Sequence, residues 1–134
     1  MSLDHIEACN KCIVACQECS DACNECKVET ALLKSESNAC KACIKKMQSC
    51  VKACQECILA CREHLKVCKN PVCIEAVQTC IKKCQACMYA CQNSDYKCEE
   101  KQDEECALSC HECTVACDEC IQACDTCIEK SCNK

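Results

Sequence analysis

The chain has 134 residues, a formal net charge of −5, 27 cysteines, a single proline, no glycine, and Tyr89 and Tyr96 as its aromatic side chains apart from histidine. That length suits one domain spanning residues 1–134, the lack of glycine and near-lack of proline argue for long helices, and two tyrosines cannot furnish a conventional aromatic core. An acidic balance without a basic patch argues against a nucleic-acid partner, no apolar run approaches a membrane span, and the polar start Met1-Ser2-Leu3-Asp4-His5 carries no signal-peptide core. The expectation is a cytoplasmic protein whose thiols stay reduced.

The first helix is predicted from about Asp4 to Leu33. Cys9, Cys12, Cys16, Cys19, Cys23 and Cys26 are spaced 3, 4, 3, 4, 3, with His5, Thr30 and Leu33 in the same phase. This is the a/d rhythm of a heptad, and it sets every cysteine on one stripe of one helix. Ala8, Ala15 and Ala22 precede alternate cysteines, and such small residues let neighbouring helices approach. Ser35 or Ser37 is expected to cap the second helix, predicted from about Glu36 to Lys69. Its stripe reads Cys40, Cys43, Met47, Cys50, Cys54, Cys57, Cys61, His64 and Cys68.

Asn70-Pro71 marks the next boundary, a capping residue followed by proline at the first helical position. The third stripe reads Cys73, Val77, Cys80, Cys84, Cys87, Cys91, Ser94 and Cys98. The eight-residue step from Cys98 to Cys106 breaks the frame. It places the last turn near Lys101–Asp103, although Asn93-Ser94-Asp95 also favours a turn. The length of the second helix decides for the later position, since a third helix ending at Gln92 would fall short of its partner. The fourth helix is predicted from about Asp103 to Cys132. It carries Cys106, Cys110, Cys113, Cys117, Cys120, Cys124 and Cys127 in phase, with Cys132 off phase.

Four helices of similar length with short links predict an all-α, antiparallel up-down-up-down four-helix bundle with a cysteine-lined lumen. Antiparallel order gathers His5, His64, Cys68, Cys73, Cys127 and Cys132 at one end, read as the mouth. Thr30 and Leu33, with Cys40, Cys98 and Cys106, lie at the other, more apolar end. Thiolates are soft ligands that select Cu(I), zinc or iron–sulfur clusters. Two thiolates holding one ion linearly need sulfurs about 4.4 Å apart, twice a bond near the zinc–sulfur value, and helical neighbours three or four apart reach that spacing. Zinc wants four ligands, and a continuous 3-4-3-4 ladder has no punctuation into fours. Burying many tetrathiolate zinc sites would also bury their net charge, whereas one monovalent ion per thiolate leaves the lumen neutral. Iron–sulfur clusters prefer loop spacings absent here. In-helix pairs make poor disulfides because helical side-chain directions are fixed, so Cu(I) fits best.

Alternating CxxC and CxxxC steps on four helices, with Asn70-Pro71 before the third, resemble the bacterial copper storage proteins. The resemblance covers nearly the whole chain. It implies a Cys-lined bundle holding many Cu(I) ions by paired cysteines, with His or Met near the mouth. It also implies homo-oligomers, commonly tetramers, and the cytosolic branch of the family. The chain departs from that pattern in its cysteine density and in a third-to-fourth helix region about a heptad longer.

Other readings stand beside these. Cysteine can serve as a small hydrophobe, but natural cores favour larger aliphatics. His5 reads as a solvated terminal residue or a ligand, Met47 as filler or a ligand. His64 replaces a cysteine within the ladder and reads as a ligand. Met88 and His111 are off phase, read as structural or exposed. Cys132 is an additional ligand candidate. No nucleophile stands apart from the ladder, so no enzyme is expected. The function expected is storage and sequestration of roughly 15–25 Cu(I) ions per chain, between pairing and one-per-thiol. Copper would exchange at the His5/His64 end with copper chaperones or small thiols. A zinc or cadmium buffer and a disulfide-bonded redox or structural protein are the alternatives.

Overall fold

With no glycine to loosen a helix and sulfur repeating every three or four residues, the chain folds into α1 (His5–Ala31), α2 (Asn38–Leu65), α3 (Pro71–Glu100) and α4 (Glu104–Lys130). The structure, a computed structural model, describes residues 4–31, 38–100 and 104–130, with the backbone alone at the helix ends bordering the gaps. Each helix packs against its neighbours in chain order, and α4 closes against α1. The result is the expected antiparallel four-helix bundle.

Asp4 caps α1. Its Oδ1 accepts from the Ile6 amide at 3.0 Å and its carbonyl from the Ala8 amide at 3.0 Å, as an N-cap aspartate does. The proposed Ser35 or Ser37 cap, Leu33, the link 101–103 and Cys132 lie outside the described residues.

Two boundaries are informative. α3 runs unbroken through Asn93-Ser94-Asp95. Ser94 is wholly buried, because it holds an inward heptad position that outweighs the local turn preference. α2 stops earlier than the sequence suggested, at Leu65 instead of Lys69. The chain tightens into a turn through Lys66 N to Glu63 O at 3.2 Å and Val67 N to His64 O at 3.1 Å. The next helix explains the stop: Asn70 must be non-helical to cap α3, and the residue before a proline is pushed out of the α region. Asn70 Oδ1 accepts from the Val72 amide at 2.9 Å and the Cys73 amide at 3.2 Å. Cys68, expected as the last position of the α2 stripe, therefore sits half-buried in the link. Its thiol lies 4.0 Å from the Asn70 carbonyl oxygen.

The bundle interior is built mostly of sulfur. The core residues other than cysteine are Met47, Val77, Ile58 and small alanines such as Ala8 and Ala60. Ala8 is fully enclosed between helices, while Ala15 and Ala22 are half-buried. Buried Ser20, Ser109 and Thr114 are likewise small. Charged residues sit outside, where Lys46–Glu18 and Lys83–Glu119, each 2.9 Å, bridge adjacent helices. Such exposed pairs contribute little to stability. No helix is long and apolar enough to cross a membrane among the described residues.

The Asn70 cap is the one side chain that both ends α2 and starts α3. Asn70→Ala is expected to cost about 1 kcal/mol in urea denaturation with helicity retained. An unchanged midpoint would show that Pro71 alone sets the boundary.

Candidate metal centre

Antiparallel pairing turns four one-dimensional stripes into layers. Between α1 and α2 the sulfurs meet as Cys9–Cys57 at 3.6 Å, Cys12–Cys54 at 3.7 Å, Cys16–Cys50 at 3.5 Å and Cys23–Cys43 at 3.3 Å. Between α3 and α4 they meet as Cys80–Cys124 and Cys84–Cys120 at 3.6 Å, Cys87–Cys117 at 3.6 Å and Cys91–Cys113 at 3.3 Å. One number rises as the other falls, which is the signature of antiparallel neighbours. Across the lumen, α1 and α3 run together: Cys9–Cys80 and Cys12–Cys84 at 3.9 Å, Cys16–Cys87 and Cys19–Cys91 at 3.8 Å.

Three complete layers follow, each with one thiol from every helix: Cys9/Cys57/Cys80/Cys124, Cys12/Cys54/Cys84/Cys120 and Cys16/Cys50/Cys87/Cys117. In the second and third of these, all four sulfurs lie within 4.8 Å of one another. Further quartets straddle the layers, such as Cys9/Cys57/Cys61/Cys80, Cys12/Cys57/Cys84/Cys124 and Cys16/Cys54/Cys87/Cys120. These groups could each hold a metal ion. Because they share members, they form one continuous sulfur lattice in which a bridging thiolate belongs to several sites.

This refines the sequence reading. In-helix neighbours do approach, Cys12–Cys16 at 3.9 Å and Cys57–Cys61 at 4.0 Å, but most of the closest contacts cross between helices. The expected linear pair needs about 4.4 Å, whereas trigonal and tetrahedral sulfur sites with bonds of about 2.3 Å need edges of about 4.0 and 3.8 Å. The observed spacings suit the higher coordination numbers. The punctuation into fours that the sequence lacks is supplied by folding, since one heptad position from each of four helices shares a level.

The remaining positions depart from thiol in instructive ways. One level toward the mouth from Cys80, Val77 is wholly buried, near the buried Cys61 and Cys127 end. Two levels deeper than the complete layers, the Ser94 hydroxyl donates to Cys110 Sγ at 3.8 Å, and Cys43 Sγ lies 4.0 Å from that same sulfur. Sequence phase placed Ser94 on the stripe; nothing in the sequence marked it as a hydrogen-bond donor to a thiol. Cys26 is buried at the far end. Cys40, Cys98 and Cys106 lie on α2, α3 and α4, and their side chains fall outside the described residues. Among the described residues no disulfide joins the cysteines, and all but Cys68 are buried.

At the mouth, His5 is 5% exposed, which decides against the solvated reading. Its ring stacks on His64 with centroids 3.8 Å apart and planes 22° apart. His64 Nε2 lies 3.3 Å from Cys73 Sγ, and His5 Nδ1 lies 3.6 Å from the Asp4 carboxylate. The structure therefore brings together two imidazoles and a thiol that are distant in sequence. Met88 packs partly against the core from outside, and His111 is exposed.

Burial and contact with neighbouring thiols shift the lumen cysteines in both directions. Cys50, Cys80 and Cys120 are held below the ordinary thiol range by neighbouring thiols, first Cys117, Cys124 and Cys12 respectively. Cys54, Cys117 and Cys124 are pushed above it, first by the neighbouring thiols of Cys12, Cys113 and Cys12, and also by burial. Metal entry must strip the protons that remain, so loading releases acid. His5 is lowered from 6.5, first by burial and then by the neighbouring His64. It is thus neutral at pH 7, the form in which imidazole ligates metals.

No family model, no curated protein and no solved structure matches this chain. The site is defined by its own geometry.

A histidine depressed on folding holds its proton more readily when unfolded. Its contribution is complete above the unfolded value of 6.5 and is lost as pH falls through the lower folded value. The unfolding midpoint of the metal-free protein should therefore drop on acidification below about 6.5, and His5→Phe, which keeps a ring on His64, should flatten that part of the profile. Identical profiles for the two proteins would place the pH dependence elsewhere.

Proposed function

We propose that the protein is a high-capacity Cu(I) store: a bundle that sequesters monovalent copper along its thiol lumen and exchanges it at the His5/His64 end. The observation that carries this reading is the continuity of the buried lattice. Within successive levels, from Cys9 and Cys57 down to Cys23 and Cys43, sulfurs lie 3.3 to 3.9 Å apart, and quartets that share members join the Cys9, Cys12 and Cys16 levels to one another.

Charge supports copper over zinc. A divalent ion in a tetrathiolate site leaves a net −2, and repeating that through a dry lumen is costly. One monovalent ion per thiolate leaves none. Overlapping quartets also resist being filled as separate tetrahedral sites, because each shared cysteine would be claimed twice. Soft thiolates prefer Cu(I), and bridging sulfurs let the count rise above one ion per pair toward roughly 15–25 per chain. The architecture and the ligand set agree with the copper storage resemblance drawn from the ladder and the Asn70-Pro71 link.

Exchange follows from the mouth. An incoming ion on a chaperone or small thiol meets the stacked His5 and His64 rings and Cys73, with half-buried Cys68 beside them. Replacing one ligand at a time moves it inward without releasing a free ion. Such a carrier needs no catalytic group, and its thiols function reduced, as in a cytoplasm.

The zinc or cadmium buffer is the second reading, favoured by the tetrahedral-sized quartets. An anaerobic titration of reduced protein, with a Cu(I) chelator in competition and circular dichroism alongside, separates the two. Expected are tight uptake of well over about ten Cu(I) ions, unchanged helicity, proton release, and a raised melting temperature by mass action. Saturation at a few ions, or zinc that the same excess of Cu(I) fails to displace, would overturn storage.

A further inference from the structure

Copper held by thiolates leaves one sulfur of the core unused. Met47 is wholly buried and belongs to the core cluster. Its level is fixed by its neighbours. Cys16 meets Cys50 and Cys23 meets Cys43, so the intervening α1 and α2 positions, Cys19 and Met47, share a layer. Cys19 Sγ lies 3.8 Å from Cys91 Sγ and 3.7 Å from Cys113 Sγ, and those two are 3.3 Å apart.

We propose that Cys19, Cys91, Cys113 and Met47 form a distinct mid-lumen site in which the Met47 thioether binds a soft monovalent d10 ion together with the three-thiol triangle. This inference rests on the storage reading and gives one of its layers a different ligand set. Two edges of the triangle, 3.8 and 3.7 Å, are close to the about 3.9 Å that a trigonal ion with bonds of about 2.2–2.3 Å requires, and the third, Cys91–Cys113 at 3.3 Å, must open slightly to admit the ion. The layer lies between Cys16/Cys50/Cys87/Cys117 and the layer of Ser94, so the thioether stands inside the sulfur column, away from the histidine mouth. Val77 shows the contrast: at that inward position a plain hydrocarbon fills space, whereas at Met47 the filler is itself a soft ligand.

Thioether and thiolate differ in charge, and that gives the layer its character. A thioether binds without a proton to lose and without adding negative charge. The Met47 layer therefore supplies a fourth donor at no cost in charge. It also gives a neutral, readily exchanged ligand between the three four-thiol layers and the thiols beyond it, Cys23, Cys43 and Cys110.

Selenomethionine-labelled protein carrying Met88→Leu, fully loaded with Cu(I), tests this by X-ray absorption at the selenium edge. Expected is a selenium–copper scattering path at bonding distance that disappears in the same protein with Met47→Leu, a change close in volume. Circular dichroism of both proteins confirms the helices. Normal copper uptake with no selenium–copper path, or a path that survives Met47→Leu, overturns the Met47 site and leaves storage standing. Failure of the labelled protein to take up copper in bulk overturns the storage reading and the site with it.

Discussion

The structure depends on contact between sulfur atoms at the bundle axis. A thiol is one of few side chains that can be buried without a strong hydrogen-bond partner and still become a charged ligand when a soft ion arrives. Leucine at these positions would pack better but hold nothing. Aspartate or histidine would hold metal but could not be buried in such numbers unpaired. The cysteine stripe reconciles folding with a supply of metal ligands, and the helix contacts bring stripe against stripe. The small residues between helices, Ala8, Ala60 and Ser20 among them, serve the same end. A thin core needs close helices, and close helices need small residues at the seams.

Much of this was legible in the sequence because two signals coincide. The 3-4 spacing that makes a heptad also spaces potential ligands, so one pattern gave the helices, the inward face and the candidate site. The passage of α3 through Asn93-Ser94-Asp95 was readable from phase and from the length a partner helix requires. The end of α2 was not. Continuing phase carried the reading to Cys68, while Asn70 and Pro71, which were seen as starting α3, also exclude a helix just before them. A capping residue acts on both of its neighbours, and the reading used only one side.

The quartets were illegible for a different reason. Sequence spacing reports neighbours along a helix. The nearest sulfur partners are set by register between helices, as when Cys16 faces Cys50 on one side and Cys87 on the other. Register between antiparallel helices is fixed by packing at many positions at once, and no local motif encodes it. His5 shows the same limit. As a terminal residue it reads as solvated, but the turn at Lys66 and Val67 that ends α2 follows His64, whose ring stacks on His5 and covers it.

Departures from cysteine then become the informative positions. Along the stripes a thiol is the rule, so Val77, Met47, Ser94 and His64 each mark a change in what that level can do. Hydrocarbon packs, thioether offers a sulfur without charge, hydroxyl donates to a neighbouring sulfur, and imidazole offers a nitrogen ligand beside the buried His5. A uniform tube of thiols would give every ion nearly the same environment and no reason to move. Graded ligands along one axis, from ring nitrogen at the mouth through dense thiol to mixed layers beyond, would give bound ions different environments at different depths. On the storage reading, direction of exchange follows from ligand identity along the bundle.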